Sequence, residues 1–147
     1  MWFGNAVTFG VWRDIWLAEA FATYGQWMWL DHVEEASFDA LAAQALDEKA
    51  FAKNSTAEPA VEELFGPNSY DGGAVVLHAL RLSTGDEAFF SLLRRWVAEN
   101  NGNSKVTADF IQLASDQAEC DLQAFFDDWL FARRPPQNYP VRLADCG

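Results

Sequence analysis

Apolar residues recur along most of this chain three and four positions apart, the spacing typical of α-helices. No stretch alternates between apolar and polar residues for long enough to predict a strand. The pattern predicts a short helical turn over 61–69 and longer helices over 14–32, 37–51, 70–83, 84–102, 107–118 and 121–132. We therefore expect an all-α fold, a helical array in which residues 1–147 form a single subdomain.

The two ends of the chain lack the helical pattern. Residues 1–12 predict an irregular lead-in, and the proline-rich residues 134–147 predict an extended tail. Asp14, Thr107 and Asp121 precede helical stretches and are predicted to cap them, because side-chain oxygens at these positions can accept hydrogen bonds from free backbone N–H groups.

The predicted helix over 70–83 begins with two glycines, Gly72 and Gly73. Each glycine in a helix costs about 1 kcal/mol relative to alanine. Their presence indicates that another backbone or a ligand approaches this helix closely.

The predicted helix over 14–32 is apolar nearly all round, which is typical of a buried helix. Between Asp14 and Leu30 its one charged side chain is Glu19. An ionised carboxylate in apolar surroundings is costly unless it is paired, hydrogen-bonded or metal-bound. From these residues alone, Glu19 is either a solvent-facing or arginine-paired carboxylate, or a metal ligand or catalytic acid. The aromatic residues of this helix are expected in the core, namely Trp16, Phe21, Trp27 and Trp29.

Composition narrows the possible partners. The 147 residues carry a net charge of −12, which disfavours binding to nucleic acid phosphates and anionic membranes. No apolar run reaches the length of a membrane span, and the N-terminus does not resemble a signal peptide. We expect no nucleic acid or membrane partner and a cytoplasmic location. Cys120 and Cys146 are expected as free thiols, with one disulfide as the alternative.

Three segments carry a resemblance to a known family. In chain order they are WFGNAVTFGVWRDIWLAEAFATY at 2–24, SYDGGAVVLHALR at 69–81 and DLQAFFDDWLFARRPPQNYPV at 121–141. They resemble segments of the M1-family zinc aminopeptidases, gluzincins that include aminopeptidase N and leukotriene A-4 hydrolase. The first resembles the segment that follows the family's zinc-binding motif, and the second resembles the segment that carries its catalytic tyrosine. The third resembles the stretch that closes the catalytic domain. The resemblance implies the C-terminal helical half of a thermolysin-like catalytic domain.

The resemblance also implies roles for two residues. In the family, H-E-x-x-H is followed by 18 residues and then a glutamate that is the third zinc ligand, and this glutamate matches Glu19. The catalytic tyrosine, which donates a hydrogen bond to the oxyanion, matches Tyr70. Counting back 18 residues from Glu19 reaches Met1, so both histidine ligands and the general base are expected outside this sequence, as is the motif that binds the substrate's amine.

The sequence departs from the family pattern at a few positions. Ala18 and Ala20 flank Glu19 where the family usually has asparagine and glycine, and Asp71–Gly72 stands where x-Lys is common. These differences weaken inferences about the substrate but leave both candidate residues in place.

The resemblance therefore implies part of an enzyme that hydrolyses N-terminal residues from peptides. Zinc is expected in the full-length enzyme, whereas this chain alone is expected to bind no stoichiometric zinc and to be inactive. Expected partners are a peptide substrate, the N-terminal part of the same protein and further copies of the chain, through exposed apolar surface. Two alternatives stay open: a non-catalytic helical module that binds a partner, and an enzyme whose site is completed by a second chain.

Other side chains of metal-binding type have simpler explanations. His32 falls near the end of its predicted helix and is expected at the surface. His78 lies two turns after Tyr70 and is expected to be packed or exposed. Asp14 is more simply a helix cap than a neighbour of Glu19.

Overall fold

The computed structural model describes residues 6–141, and the described part is helical. Two-residue strands, β1 (Thr8–Phe9) and β2 (Ser104–Lys105), pair in parallel. Short 3₁₀ turns cover Trp12–Asp14 and Val61–Glu63, and a π-helical turn covers Asp127–Phe131. The α-helices of the described part are α1 (Trp16–His32), α2 (Phe38–Lys49), α3 (Pro67–Thr84), α4 (Asp86–Asn100), α5 (Thr107–Ala118) and α6 (Gln123–Phe126). The predicted all-α fold class is confirmed.

Helix α3 is the centre of the packing. Every residue from Gly72 to Leu80 is buried, because α1, α2 and α4 all pack against this helix. Helix α5 in turn packs against α4. The apolar run along α3 is therefore explained by neighbours on several sides.

Helix α1 is buried over its first turns and emerges at its end. Trp16, Phe21 and Trp27 lie in the core, as predicted. The prediction is wrong for Trp29, which is 62% exposed. The last turn of α1 also exposes Asp31 and His32, so the helix is not surrounded along its whole length.

The predicted caps are only partly correct. Asp14 ends a 3₁₀ turn, and α1 begins after Ile15 with no side-chain cap. Thr107 is the first residue of α5 rather than its cap. Asp121 lies one residue before the cap position of α6, where its Oδ1 accepts a hydrogen bond of 2.8 Å from the backbone N–H of Gln123.

Helix α3 begins earlier than the sequence pattern predicts. Gly66 occupies the cap position and Pro67 the first turn, where the missing proline N–H leaves no backbone hydrogen bond unmade. The short predicted turn is therefore limited to Val61–Glu63.

The described part of the tail packs on the helices. The Tyr139 hydroxyl donates a hydrogen bond of 2.8 Å to the backbone oxygen of Ala42, and its ring stacks on Trp129 with centroids 5.7 Å apart.

Cys120 is disulfide-bonded, so the free thiol predicted for it is wrong. Residues 1–5 of the predicted lead-in and 142–147 of the predicted tail, with Cys146, lie outside the described residues. Within the described part, no helix has the length and hydropathy required to cross a bilayer.

Candidate active site

The candidate site is organised by a close contact between α1 and α3. A Cβ built on Gly73 would lie 2.6 Å from the Cβ of Ala20 and 3.8 Å from that of Trp16. The close backbone approach indicated by the glycines is confirmed at Gly73, and the approaching element is α1. Glu19 directly precedes Ala20, and Tyr70 lies about one turn before Gly73. The contact thus fixes the spacing between the helices that carry both candidate residues.

The second glycine makes room for polar side chains. A Cβ on Gly72 would collide with Oδ1 of Asn68 and would lie 3.4 Å from Oγ1 of Thr56. The two consecutive glycines therefore make room for different neighbours. Gly73 allows the close approach of α1, and Gly72 leaves space for the side chains of Asn68 and Thr56.

Glu19 is a half-buried carboxylate on the first turn of α1. Burial raises its pKa above the ordinary value, because desolvation disfavours the charged form. No side chain in the described part of the chain donates a hydrogen bond to Glu19 or forms an ion pair with it. The explanation by an arginine partner is therefore not supported among the described residues.

Tyr70 is half-buried on the first turns of α3. Burial and the negative charge of Glu19 both raise the pKa of its phenol. The two sequence-predicted site residues therefore interact electrostatically across the α1–α3 contact. With its pKa raised, the Tyr70 hydroxyl stays protonated near neutral pH and is able to donate a hydrogen bond.

The described residues do not form a complete metal site around Glu19. No group of three or more His, Cys, Asp or Glu residues able to hold a metal ion occurs among residues 6–141. His32 is exposed, with its ring 5.9 Å from that of Trp29. The simpler surface explanation of His32 is confirmed.

His78 is packed inside the helical array. It is buried, and its Nδ1 lies 3.2 Å from the hydroxyl of Tyr24. Burial, with the nearby positive charge of Arg81, lowers the pKa of His78 to about 4. His78 is therefore a neutral core histidine at neutral pH.

A buried polar chain that the sequence did not reveal anchors the start of α1. The Thr107 hydroxyl donates a hydrogen bond of 2.7 Å to Oδ1 of Asp14 and accepts one of 2.9 Å from Nε1 of Trp16. These bonds link α5 to the beginning of α1, two turns or less before Glu19. Asp14 is thus neither a cap nor an isolated charge.

Comparisons with known proteins show the family of the chain. The chain matches the Peptidase family M1 domain over residues 1–129. It is 30% identical over 158 aligned positions to aminopeptidase N of Lactococcus lactis subsp. lactis, an alignment that includes 98% of this chain and 18% of the relative. The chain therefore spans less than a fifth of the length of that protein.

Solved structures give the same assignment. The M1 zinc metallopeptidase from Deinococcus radiodurans superposes with a TM-score of 0.84 at 32% identity, covering 95% of this chain and 32% of that chain. A mutant of the same enzyme bound to a Tyr-Ser-Ala substrate gives a TM-score of 0.84 at 30% identity, with the same coverage of each chain. Aminopeptidase A of Legionella pneumophila shares the fold, with a TM-score of 0.72 at 23% identity over 89% of this chain and 15% of that chain. The chain belongs to peptidase family M1.

Proposed function

We propose that this chain is part of the catalytic domain of a zinc-dependent aminopeptidase, in which Glu19 is one zinc ligand and Tyr70 stabilises the oxyanion. The observation that carries the proposal is the electrostatic interaction of Glu19 with Tyr70 across the α1–α3 contact. The family assignment adds support, because M1 relatives with this fold are described as zinc metallopeptidases.

The described residues do not by themselves fit a zinc ion. Catalytic zinc sites typically contain about three protein ligands, whereas the described residues include no group of three or more His, Cys, Asp or Glu side chains that could hold a metal ion. The sequence contains no H-E-x-x-H motif, since its two histidines are His32 and His78. The remaining ligands would come from outside this sequence, in keeping with the small share of each relative that the chain covers.

Each proposed residue has a property that suits its role. Glu19 is half-buried and has lone pairs that no described side chain occupies, so it is available to a ligand from outside the described structure. Tyr70 keeps its proton near neutral pH and can donate it in a hydrogen bond to the negatively charged oxygen of a tetrahedral intermediate. A donor of this kind stabilises the transition state more than the ground state.

The first test is metal content and activity of the chain alone. After dialysis, we expect well below one zinc per chain and no hydrolysis of an aminoacyl-p-nitroanilide. Addition of the segment of the same protein that carries the histidine ligands should restore both. One zinc per isolated chain together with peptidase activity would overturn the proposal.

Substitutions in the complemented protein separate the two roles. Glu19→Gln should lose zinc and activity together. Tyr70→Phe should keep zinc but reduce kcat by about 10²–10³-fold, the usual effect of removing one oxyanion donor. Glu48→Gln on α2 is a matched control and should keep both. Normal zinc content in Glu19→Gln would contradict the ligand assignment.

A cluster of one half-buried and two exposed rings supports a second part of the proposal, namely association with another protein surface. The Trp12 ring lies 5.4 Å from that of Phe9 and 6.1 Å from that of Phe65. Trp12 is 61% exposed and Phe65 is 64% exposed. We call Phe9, Trp12 and Phe65 the aromatic cluster. An exposed apolar surface of this kind is typical of an interface. In the whole protein the remaining part of the molecule covers it, and in the isolated chain another copy of the chain does.

A further inference from the structure

Lys49, the last residue of α2, is buried in an unusual way. The sequence has three lysines, and Lys49 is 3% exposed whereas Lys53 is exposed and Lys105 is half-buried. Lysine is almost never fully buried unless it is paired. No carboxylate in the described part of the chain forms an ion pair with Lys49. Some other arrangement must therefore accommodate its amine.

The hydrogen bonds around Lys49 match a neutral amine. Its Nζ donates to Oγ1 of Thr56 and, at 3.2 Å, to Oδ1 of Asn68. The Thr56 hydroxyl gives its own proton to Asn68 Oδ1 at 2.9 Å, so it is not available to the nitrogen. An ammonium group has three N–H donors, whereas a neutral amine has two donors and one lone pair. The two acceptors present satisfy the neutral form and leave its lone pair uncommitted.

The polar cluster of Lys49, Thr56 and Asn68 is held in place by contacts from several elements. Asn68 Nδ2 donates a hydrogen bond of 2.9 Å to the backbone oxygen of Asn54. Gly72 leaves the space that Asn68 Oδ1 occupies. Burial lowers the pKa of Lys49 to about 7, far below that of an ordinary lysine.

Lys49 lines a cavity of about 280 Å³ between α2, the following loop and the start of α3. The cavity is small and suits a molecule of a few heavy atoms rather than one of drug size. Its ionisable walls are Glu48 on α2, Lys53 on the loop, Glu63 on the 3₁₀ turn and Asp71 on α3. Carboxylates outnumber the other cation, so the cavity disfavours anionic molecules.

We propose that Lys49 is a nucleophilic amine that forms an imine with a small uncharged aldehyde entering this cavity. The nitrogen lone pair attacks the carbonyl carbon, and a C–N bond forms as the π electron pair moves to oxygen. A proton passes from nitrogen to that oxygen and gives a carbinolamine. Loss of water then gives the imine, so the step consumes one amine and one aldehyde and releases one water without any oxidation or reduction.

The test is site-resolved labelling of the unaltered chain with limiting propanal, in which cyanoborohydride traps each imine. Peptide mass spectrometry at pH from about 6 to about 9 measures the rate at each lysine, and the α-amino group is resolved as its own peptide. At pH 7 we expect Lys49 to be modified at least about tenfold faster than Lys53, because burial keeps a large share of the Lys49 amine neutral and therefore nucleophilic. The rate at Lys49 should level off above neutral pH, once its amine is fully neutral.

The comparison with Lys53 makes the outcome decisive. Labelling of Lys49 that never exceeds that of Lys53 in the folded chain overturns the proposal, whether the cause is charge or access. Urea should abolish the difference, because both amines then have ordinary surroundings. Lys49→Met should remove the fast-reacting site and Lys53→Met should leave it, and the rates in the unaltered chain decide the question even where Lys49→Met fails to fold.

Discussion

Gly73 on α3 lies so close to Ala20 on α1 that a Cβ at Gly73 would stand 2.6 Å from the Ala20 Cβ. Real Cβ atoms do not approach this closely, so the contact depends on glycine at this position. Since Glu19 is next to Ala20 and Tyr70 is about one helical turn from Gly73, the packing of two small residues determines how near the proposed ligand and the proposed oxyanion donor lie.

Gly73→Ala should lower the free energy of unfolding by about 1–3 kcal/mol, because the added methyl group overpacks the α1–α3 contact. Gly25→Ala in α1 is the matched control. Apart from its chain neighbours and the adjacent backbone of its own helix, no atom lies within 4 Å of a Cβ at Gly25, so this change should stabilise the chain by about 0.5–1 kcal/mol. Urea unfolding monitored by tryptophan fluorescence measures both, and equal effects of the two substitutions would contradict the packing argument.

Thr107→Val should destabilise the chain by about 2–4 kcal/mol, because it leaves Oδ1 of Asp14 and Nε1 of Trp16 buried without their partner. Oδ2 of Asp14 already lacks a hydrogen-bond partner in the described structure, so this carboxylate would lose its remaining one. Thr107→Ser keeps the hydroxyl and should cost about 1 kcal/mol or less, the loss of one methyl group. Urea titration measures the free energy of unfolding of the unaltered chain and both variants. A serine variant as unstable as the valine variant would show that the effect comes from packing and not from the hydroxyl.

The buried His78 should make stability depend on pH in the acidic range. The unfolded chain protonates this side chain near pH 6.5, whereas the folded chain resists protonation until about pH 4. The contribution of His78 to the free energy of unfolding is therefore complete above pH 6.5 and is lost as pH falls through 4. The full contribution is about 3 kcal/mol. Unfolding free energies from pH 7 to 4 should vary less steeply in His78→Gln than in the unaltered chain. His32→Gln, at an exposed position, should retain the full dependence.

The helices could be predicted from the sequence because they depend on local information, and apolar spacing located α1 and α3. The resemblance of short segments to a family singled out Glu19 and Tyr70, whose roles stay predictions. The cap assigned to Thr107 was wrong because its hydroxyl bonds Asp14, 93 residues away, and a rule based on adjacent residues does not detect such a partner. Lys49 was missed for a similar reason.

Lys49 illustrates what helical spacing leaves out. A lysine in the last turn of a helix normally faces solvent and interacts favourably with the helix dipole. Nothing in the sequence SFDALAAQALDEKAF indicates that Lys49 is buried. Its burial arises from Thr56 and Asn68, which lie on a loop and on the next helix. Trp29 is the opposite case. Its neighbours in the sequence are mostly apolar, but it lies in a part of α1 that other helices do not cover.

The aromatic cluster should cause the isolated chain to self-associate. Replacement of Trp12 and Phe65 by serine should shift the sedimentation profile towards monomer and reduce binding of a dye that reports exposed apolar surface. Trp29→Ser is the control, since Trp29 is 62% exposed but makes no ring contact with the cluster. A strictly monomeric unaltered chain without dye binding, or an equal effect of Trp29→Ser, would contradict the role of the cluster.

The coupling between Glu19 and Tyr70 can be measured in the isolated chain without any metal. Because the negative charge of Glu19 disfavours the phenolate, Glu19→Gln should lower the pKa of Tyr70. Glu48→Gln should leave it unchanged, since the charge of Glu48 acts on Asp71 instead. Titration of ¹³C-labelled tyrosine by NMR resolves the three tyrosines, and Tyr70→Phe assigns the signal. A Tyr70 pKa that stays the same in Glu19→Gln would show that the two residues do not share a site, and the proposed arrangement of ligand and oxyanion donor would fall with it.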